Sequence, residues 1–197
     1  LSEGTYKGLP GMLADSLPDK FGNIVINQYL ESQGREKDSL TTIEKLCYTG
    51  QRGMGALEYE PSQEIVDLSE KVDLDALTKL ASEILSEKES VKLKYDDNMI
   101  AQLMQSSSPV GGARAKTLIA WNRETNDIRS GQINAGPGFE YWLLKFDDIE
   151  NNKDKDETPD DKEYTKIEYA YYLMAKAAGI EMSECRLHKE NGRSHFM

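Results

Sequence analysis

Along this chain of 197 residues the apolar positions first recur at helical spacing and later alternate. Over residues 21–33, Ile24, Ile26, Tyr29 and Leu30 fit one helix, and Gly34 supplies the residue that ends it. A second helix is expected from a Ser39 cap with Glu44 close behind, its core face formed by Leu40, Ile43, Leu46 and Cys47. Asp73 caps a third, over 73–88, with Leu74, Leu77, Leu80, Ala81, Ile84 and Leu85 on one stripe and Glu83, Glu87 and Lys88 outside it. A fourth, over 96–104, carries Met99, Ile100 and Leu103. Upstream of all four, Pro10, Gly11 and Pro18, flanked by Asp15, Ser16 and Asp19, predict a turn-rich loop.

The period then shortens. Ala56 to Tyr59 reads as a short strand closed by Pro61, and Lys116 to Trp121 alternates as a longer one. About two dozen residues on, a further apolar strand carries Lys145 between Leu144 and Phe146. Residues 163–178 return to helical spacing, with Tyr164, Ile167, Tyr171, Met174, Ala175 and Ala178 on an expected buried stripe and Gly179 as the stop. Asn191-Gly192 between two short strands, from Cys185 and from Arg193, predicts a hairpin.

Composition narrows the function classes. Hydrophobic residues make up 38% and charged residues 30%, enough apolar material for a real core beneath a wet surface. A formal charge of −11 and a pI near 4.8 argue against a broad nucleic-acid footprint, which needs lysine and arginine gathered on one face. No apolar run reaches the roughly 18–20 residues of a membrane span, and no signal peptide opens the chain, so a cytoplasmic location is expected. Cys47 and Cys185 stand alone and read as free thiols in a reducing compartment. Both ends read as cuts, so the natural sequence is expected to continue.

The chemistry concentrates between Ser106 and Lys145. Three serines and a proline lead into Gly111-Gly112 and then directly into a strand. Glycine permits positive φ and has no Cβ, so backbone N–H groups can converge on an anion there. A lysine on a neighbouring strand, Lys145, can place its ammonium on the same phosphates, or it can simply snorkel from the strand end. Gly50, Gly53 and Gly55 form a second glycine-dense loop. It opens a strand, not a helix whose dipole would assist an anion, and so reads as a tight connection. Asp154, Asp156 and Asp160 lie in an acidic stretch that reads as a solvated insertion. It lacks the glycine and the closing glutamate of a calcium loop.

The pieces GALEYEP, SSPVGGARAKT and WLLKF, in this order, resemble the HipA family of serine/threonine kinases, the toxin halves of bacterial toxin–antitoxin pairs. LPDKFG near the start and IEYAYYLMAKAAGI near the end are similar to further family segments. The resemblance implies an α+β fold: a HipA-like N-terminal α/β region over 1–105, then a protein-kinase-like small lobe over 106–197, an antiparallel sheet plus helix. The large lobe is absent, and the acidic insertion falls at about 148–162.

It further implies that Val110, Gly111, Gly112, Ala113, Arg114, Ala115 and Lys116 cover ATP phosphates, and that Lys145 binds them. Ser108, or Ser107, would be a regulatory autophosphorylation site, both staying open because Pro109-Val110 adds a residue before the glycines. Glu168 is either the ion-pair partner of Lys145 or a surface glutamate favoured by its helix N-terminus. No catalytic-loop motif occurs, so no catalytic residue is assigned, and the Mg²⁺ ligands are expected outside this chain. The expected partners are a HipB-like DNA-binding antitoxin and a protein substrate, a translation-related one by family. The rival expectation is a non-catalytic interaction module, or one subunit of a split kinase.

Overall fold

The computed structural model describes residues 3–53, 56–63, 71–85, 97–106, 114–147, 149 and 163–197. Helices come first: α1 (Glu3–Tyr6), α2 (Gly11–Ala14), α3 (Lys20–Ser32), α4 (Thr42–Thr49), α5 (Leu74–Leu85) and α6 (Asp97–Ser106). Strands β1 (Lys116–Asn122), β2 (Asp127–Ser130) and β3 (Glu140–Lys145) follow, then α7 (Tyr164–Ala177) and the hairpin β4 (Leu187–Glu190) and β5 (Arg193–Phe196). The five strands form one antiparallel sheet in the order β2-β1-β3-β5-β4. The α+β class is therefore as expected.

Local chemistry accounts for the boundaries. The Asp19 side chain accepts from the Gly22 N–H (2.8 Å) and so starts α3, and Gly34, at φ +75°, ends the turn beyond it. The cap of α4 is Thr41, not Ser39: Thr41 Oγ1 and Glu44 satisfy each other's backbone N–H groups in a full capping box. The partner of Glu44 is the threonine three residues before it. Asp73 Oδ1 accepts from the Ala76 N–H at the head of α5, as its position predicts. At Asn191-Gly192 both residues take positive φ, the geometry that a two-residue antiparallel turn requires.

One core joins helices and sheet. Phe21, Val25 and Leu30 of α3, the Leu74, Leu77, Leu80 and Ile84 stripe of α5, and Ile100 and Leu103 of α6 pack into the same cluster as Ile119 of β1 and Leu144 of β3. Residues 71–72 extend the union to the sheet edge, where the Val72 N–H donates to the Ile128 carbonyl (2.8 Å) and Lys71 bridges to Arg129. A bare edge strand is thereby covered.

Three expectations are corrected and one element is added. Residues 56–59 form no strand; they run irregularly, tied back by the Tyr59 N–H to the Gly50 carbonyl (3.1 Å). Ile43 is exposed while Leu40 and Leu46 are buried, because α4 lies at the rim of the core. β2 was not anticipated: its four residues, Asp127 to Ser130, carry a single strongly apolar side chain. The stripe of α7 is turned outward, with Ile167, Tyr171 and Met174 exposed, while Thr165, off the stripe, is buried. Spacing names the residues that share a helical face; it does not say that anything covers that face. The acidic insertion with Asp154, Asp156 and Asp160, and the 86–88 end of the third predicted helix, lie outside the described residues.

Gly131 follows β2 with its N–H on the Leu118 carbonyl (2.9 Å), and a Cβ there would stand 2.8 Å from the Ile119 nitrogen and the Leu118 carbonyl carbon. Backbone cannot yield as a flexible side chain does. Gly131→Ala is accordingly expected to cost about 1–3 kcal/mol, read as a lower urea midpoint; an unchanged midpoint would refute this packing.

Candidate functional site

Lys145 is the last residue of β3, with Lys116 of β1 directly opposite on one side and Phe196 of β5 on the other. Two like charges on one rung of an antiparallel pair repel. Each lysine is neutralised by a carboxylate from a different element. Lys145 Nζ forms an ion pair with the Glu168 carboxylate of α7, both groups about one-third exposed, and lies 5.6 Å from the centre of the Phe196 ring. Glu168 therefore turns toward the sheet. α7 places it there because Thr165 and Glu168, three apart, share the side that packs on the hairpin.

Lys116 goes the other way. Its ammonium donates to Asp19 Oδ2 (2.8 Å) and to the Arg114 carbonyl (2.9 Å), with side-chain exposures of 4% for Lys116 and 10% for Asp19. The Asp19 carboxylate thus spans two tasks, capping α3 with one oxygen and holding Lys116 with the other. Arg114 sits at the end of the expected phosphate loop, its guanidinium 3.5 Å from the centre of the Tyr164 ring in the first turn of α7. Ala115 is buried in the core. Val110, Gly111, Gly112, Ala113, Ser107 and Ser108 lie outside the described residues.

Behind Lys145 a polar network fixes the strand end to the helix. Buried Asp147 accepts from Thr165 Oγ1 (3.0 Å) and from the Ser194 N–H (2.6 Å), while its own N–H donates to His195 Nδ1 (2.9 Å). That last bond assigns the proton of the neutral ring to Nε2, a buried atom with no hydrogen-bond partner among the described residues. Burial, with His188 stacked alongside, pushes the His195 pKa down to about 4. The ring is a neutral structural group.

The glycine-dense loop of residues 50–53 leads to no strand. Arg52 is largely buried there beside Tyr48, Pro18 and Gly22, and desolvation lowers its pKa to about 10. Among the described residues no cluster of three His, Cys, Asp or Glu side chains could hold a metal ion, and no helix is long and apolar enough to cross a membrane.

Sequence reasoning paired Lys145 with Glu168 as one of two options, and the structure brings them together. It missed Asp19, the Arg114–Tyr164 stack and the Asp147–His195 network. Asp19 carries a local signal as a helix cap in LPDKFG, but nothing in the sequence points to Lys116, 97 residues away.

Two family profiles match this chain: the HipA N-terminal domain over residues 2–60 and the HipA-like C-terminal domain over residues 108–197. Neither a curated protein nor a solved structure gives a significant match. The first profile ends beside the loop after α4, and the second begins just ahead of β1 and takes in the whole sheet, α7 and both lysines of the rung. Consecutive matches to the two domains of one family, in their natural order and over most of the sequence, leave a single assignment: the chain belongs to the HipA family of kinase-like toxins.

Proposed function

We propose that this chain is the nucleotide-binding part of a HipA-type serine/threonine kinase toxin, and that Lys145 is the residue that holds the phosphates of ATP. The observation that carries this reading is the Lys145–Glu168 pair at the end of a central strand. A partly exposed ammonium, fixed in direction by a carboxylate on a packed helix, is pre-set to receive a second set of anionic oxygens. The family membership supplies the reaction class, and the Gly111-Gly112 pair precedes β1 in the sequence. In this reading residues 110–116 cover the phosphates, Lys116 by its backbone since its side chain turns to Asp19. Ser108 or Ser107 is the autophosphorylation site that switches binding off. ATP and Mg²⁺ are the cofactors. The substrate is a protein hydroxyl, in a translation-related protein by family, and a HipB-like antitoxin is the partner that restrains the toxin.

Titration of the full chain with Mg-ATP tests the assignment. Lys145→Ala is expected to weaken binding about 10- to 100-fold, the worth of one charge-assisted contact, while the urea midpoint moves little. A wild-type chain that takes no ATP would sink the reading.

One observation favours the second reading, a non-catalytic interaction module: the outer face of α7 exposes Ile167, Tyr171 and Met174, spaced to form a continuous apolar strip. Such a chain would show no ATP affinity in the same titration.

A further inference from the structure

The two lysines of the β1–β3 rung belong to a closed ring of contacts, and that ring is anchored from the other end of the sequence. Lys116 donates to the Arg114 carbonyl, so the backbone turn entering β1 is fixed by its own side chain (2.9 Å). The guanidinium of that same Arg114 lies on Tyr164. Tyr164 and Glu168 are four residues apart and share one face of α7. Glu168 holds Lys145, and Lys145 is the cross-strand partner of Lys116. Asp19 is the external anchor of this ring, through a nearly fully buried ion pair at 2.8 Å, and the same carboxylate caps α3 of the N-terminal region. A shift of α3 therefore displaces Lys116, and with it both the turn at residues 114–116 and the helix face that aims Lys145.

We infer that Asp19 is a positioning residue: it couples α3 of the N-terminal region to the Arg114–Tyr164 and Lys145–Glu168 contacts, so that whatever moves α3 sets nucleotide affinity at Lys145. The coupling itself rests on geometry alone, and its link to nucleotide rests on the function proposed above. Lys116 is a latch in this scheme and gives no charge to the phosphates. Drawing its ammonium onto a ligand would leave the Asp19 carboxylate buried without its counter-charge.

The test uses the full chain with three changes: Asp19→Asn, which keeps a capping side chain, Asp19→Asn combined with Lys116→Met, and Asp75→Asn. The double change removes both charges together and preserves folding if the single one does not. Asp75→Asn breaks another ion pair between the two regions, Asp75 of α5 with Arg193 of β5. Amide hydrogen exchange at residues 114–118 and 164–168 is read beside the dissociation constant for Mg-ADP. The latch predicts faster exchange at both segments in the Asp19 variants and not in Asp75→Asn, with nucleotide affinity reduced about tenfold, an ordinary size for coupling between sites. Unchanged exchange at 164–168 in the double variant overturns the coupling, even if wild type binds nucleotide well. Faster exchange in a protein that takes up no Mg-ADP in any form upholds the coupling and overturns the nucleotide reading instead.

Discussion

Leu144→Ala is expected to destabilise the protein by about 3–5 kcal/mol, the cost of lost transfer energy plus an unfilled cavity. Leu144 is fully buried and belongs to the same core cluster as Leu30, Leu77 and Leu103 of the N-terminal helices. The two tryptophans, Trp121 and Trp142, sit on β1 and β3, whereas most of the helical signal comes from the other half. Denaturation followed by tryptophan fluorescence and by far-ultraviolet circular dichroism thus watches the two halves separately. Both midpoints should fall together in Leu144→Ala, because one core gives one cooperative transition. A fluorescence transition that moves while the helical one stays would show that the halves unfold independently.

Acid should be nearly as costly. His195 is neutral in the folded protein with a pKa of about 4, against about 6.5 in an unfolded chain. Between those values the unfolded state takes up a proton that the folded state refuses, so stability falls as pH drops. The contribution is intact above pH 6.5, shrinks steadily below it, and by pH 4 has removed about 3 kcal/mol. His188 on β4 stacks on the ring and burial lowers its pKa as well, while Asp147, Asp75 and Arg193 surround His195. His195→Asn isolates the effect. Its amide oxygen can accept from the Asp147 N–H as Nδ1 does, and the smaller side chain changes stability by an amount independent of pH. Urea midpoints measured from pH 7 to pH 4 should fall more steeply for wild type than for His195→Asn. Parallel curves would mean that His195 takes up its proton freely in the fold.

Much of the architecture was legible in the residues because local signals and tertiary packing agree there. The α5 stripe from Leu74 to Ile84 is at once a strong helical period and a buried face, and Asn191-Gly192 dictates its own turn. Lys145 and Glu168 could be proposed as partners only through the family resemblance, since neither side chain carries a local signal toward the other. β2 was hidden because Asp127-Ile128-Arg129-Ser130 has too few apolar residues to alternate visibly; pairing with β1 makes the strand, not propensity. The short strand expected at residues 56–59 failed for the opposite reason, since apolar alternation without a neighbouring strand leaves backbone groups to find other partners. For α7 the period was right and the orientation wrong. Two inward anchors, Thr165 to Asp147 and Glu168 to Lys145, fix its rotation, and neither bond leaves a trace in hydropathy. Long-range polar pairs such as Asp19 with Lys116 are equally silent in a single sequence.

The shared core has a consequence for recombination. A chimera that joined residues 1–106 of one HipA relative to the remainder of another would have to match Leu30, Leu77 and Leu103 against a foreign Ile119 and Leu144, and a foreign Lys116 against Asp19. Crossovers at the boundary between the two family regions should therefore give poorly folding hybrids unless both sides of the seam are transplanted together.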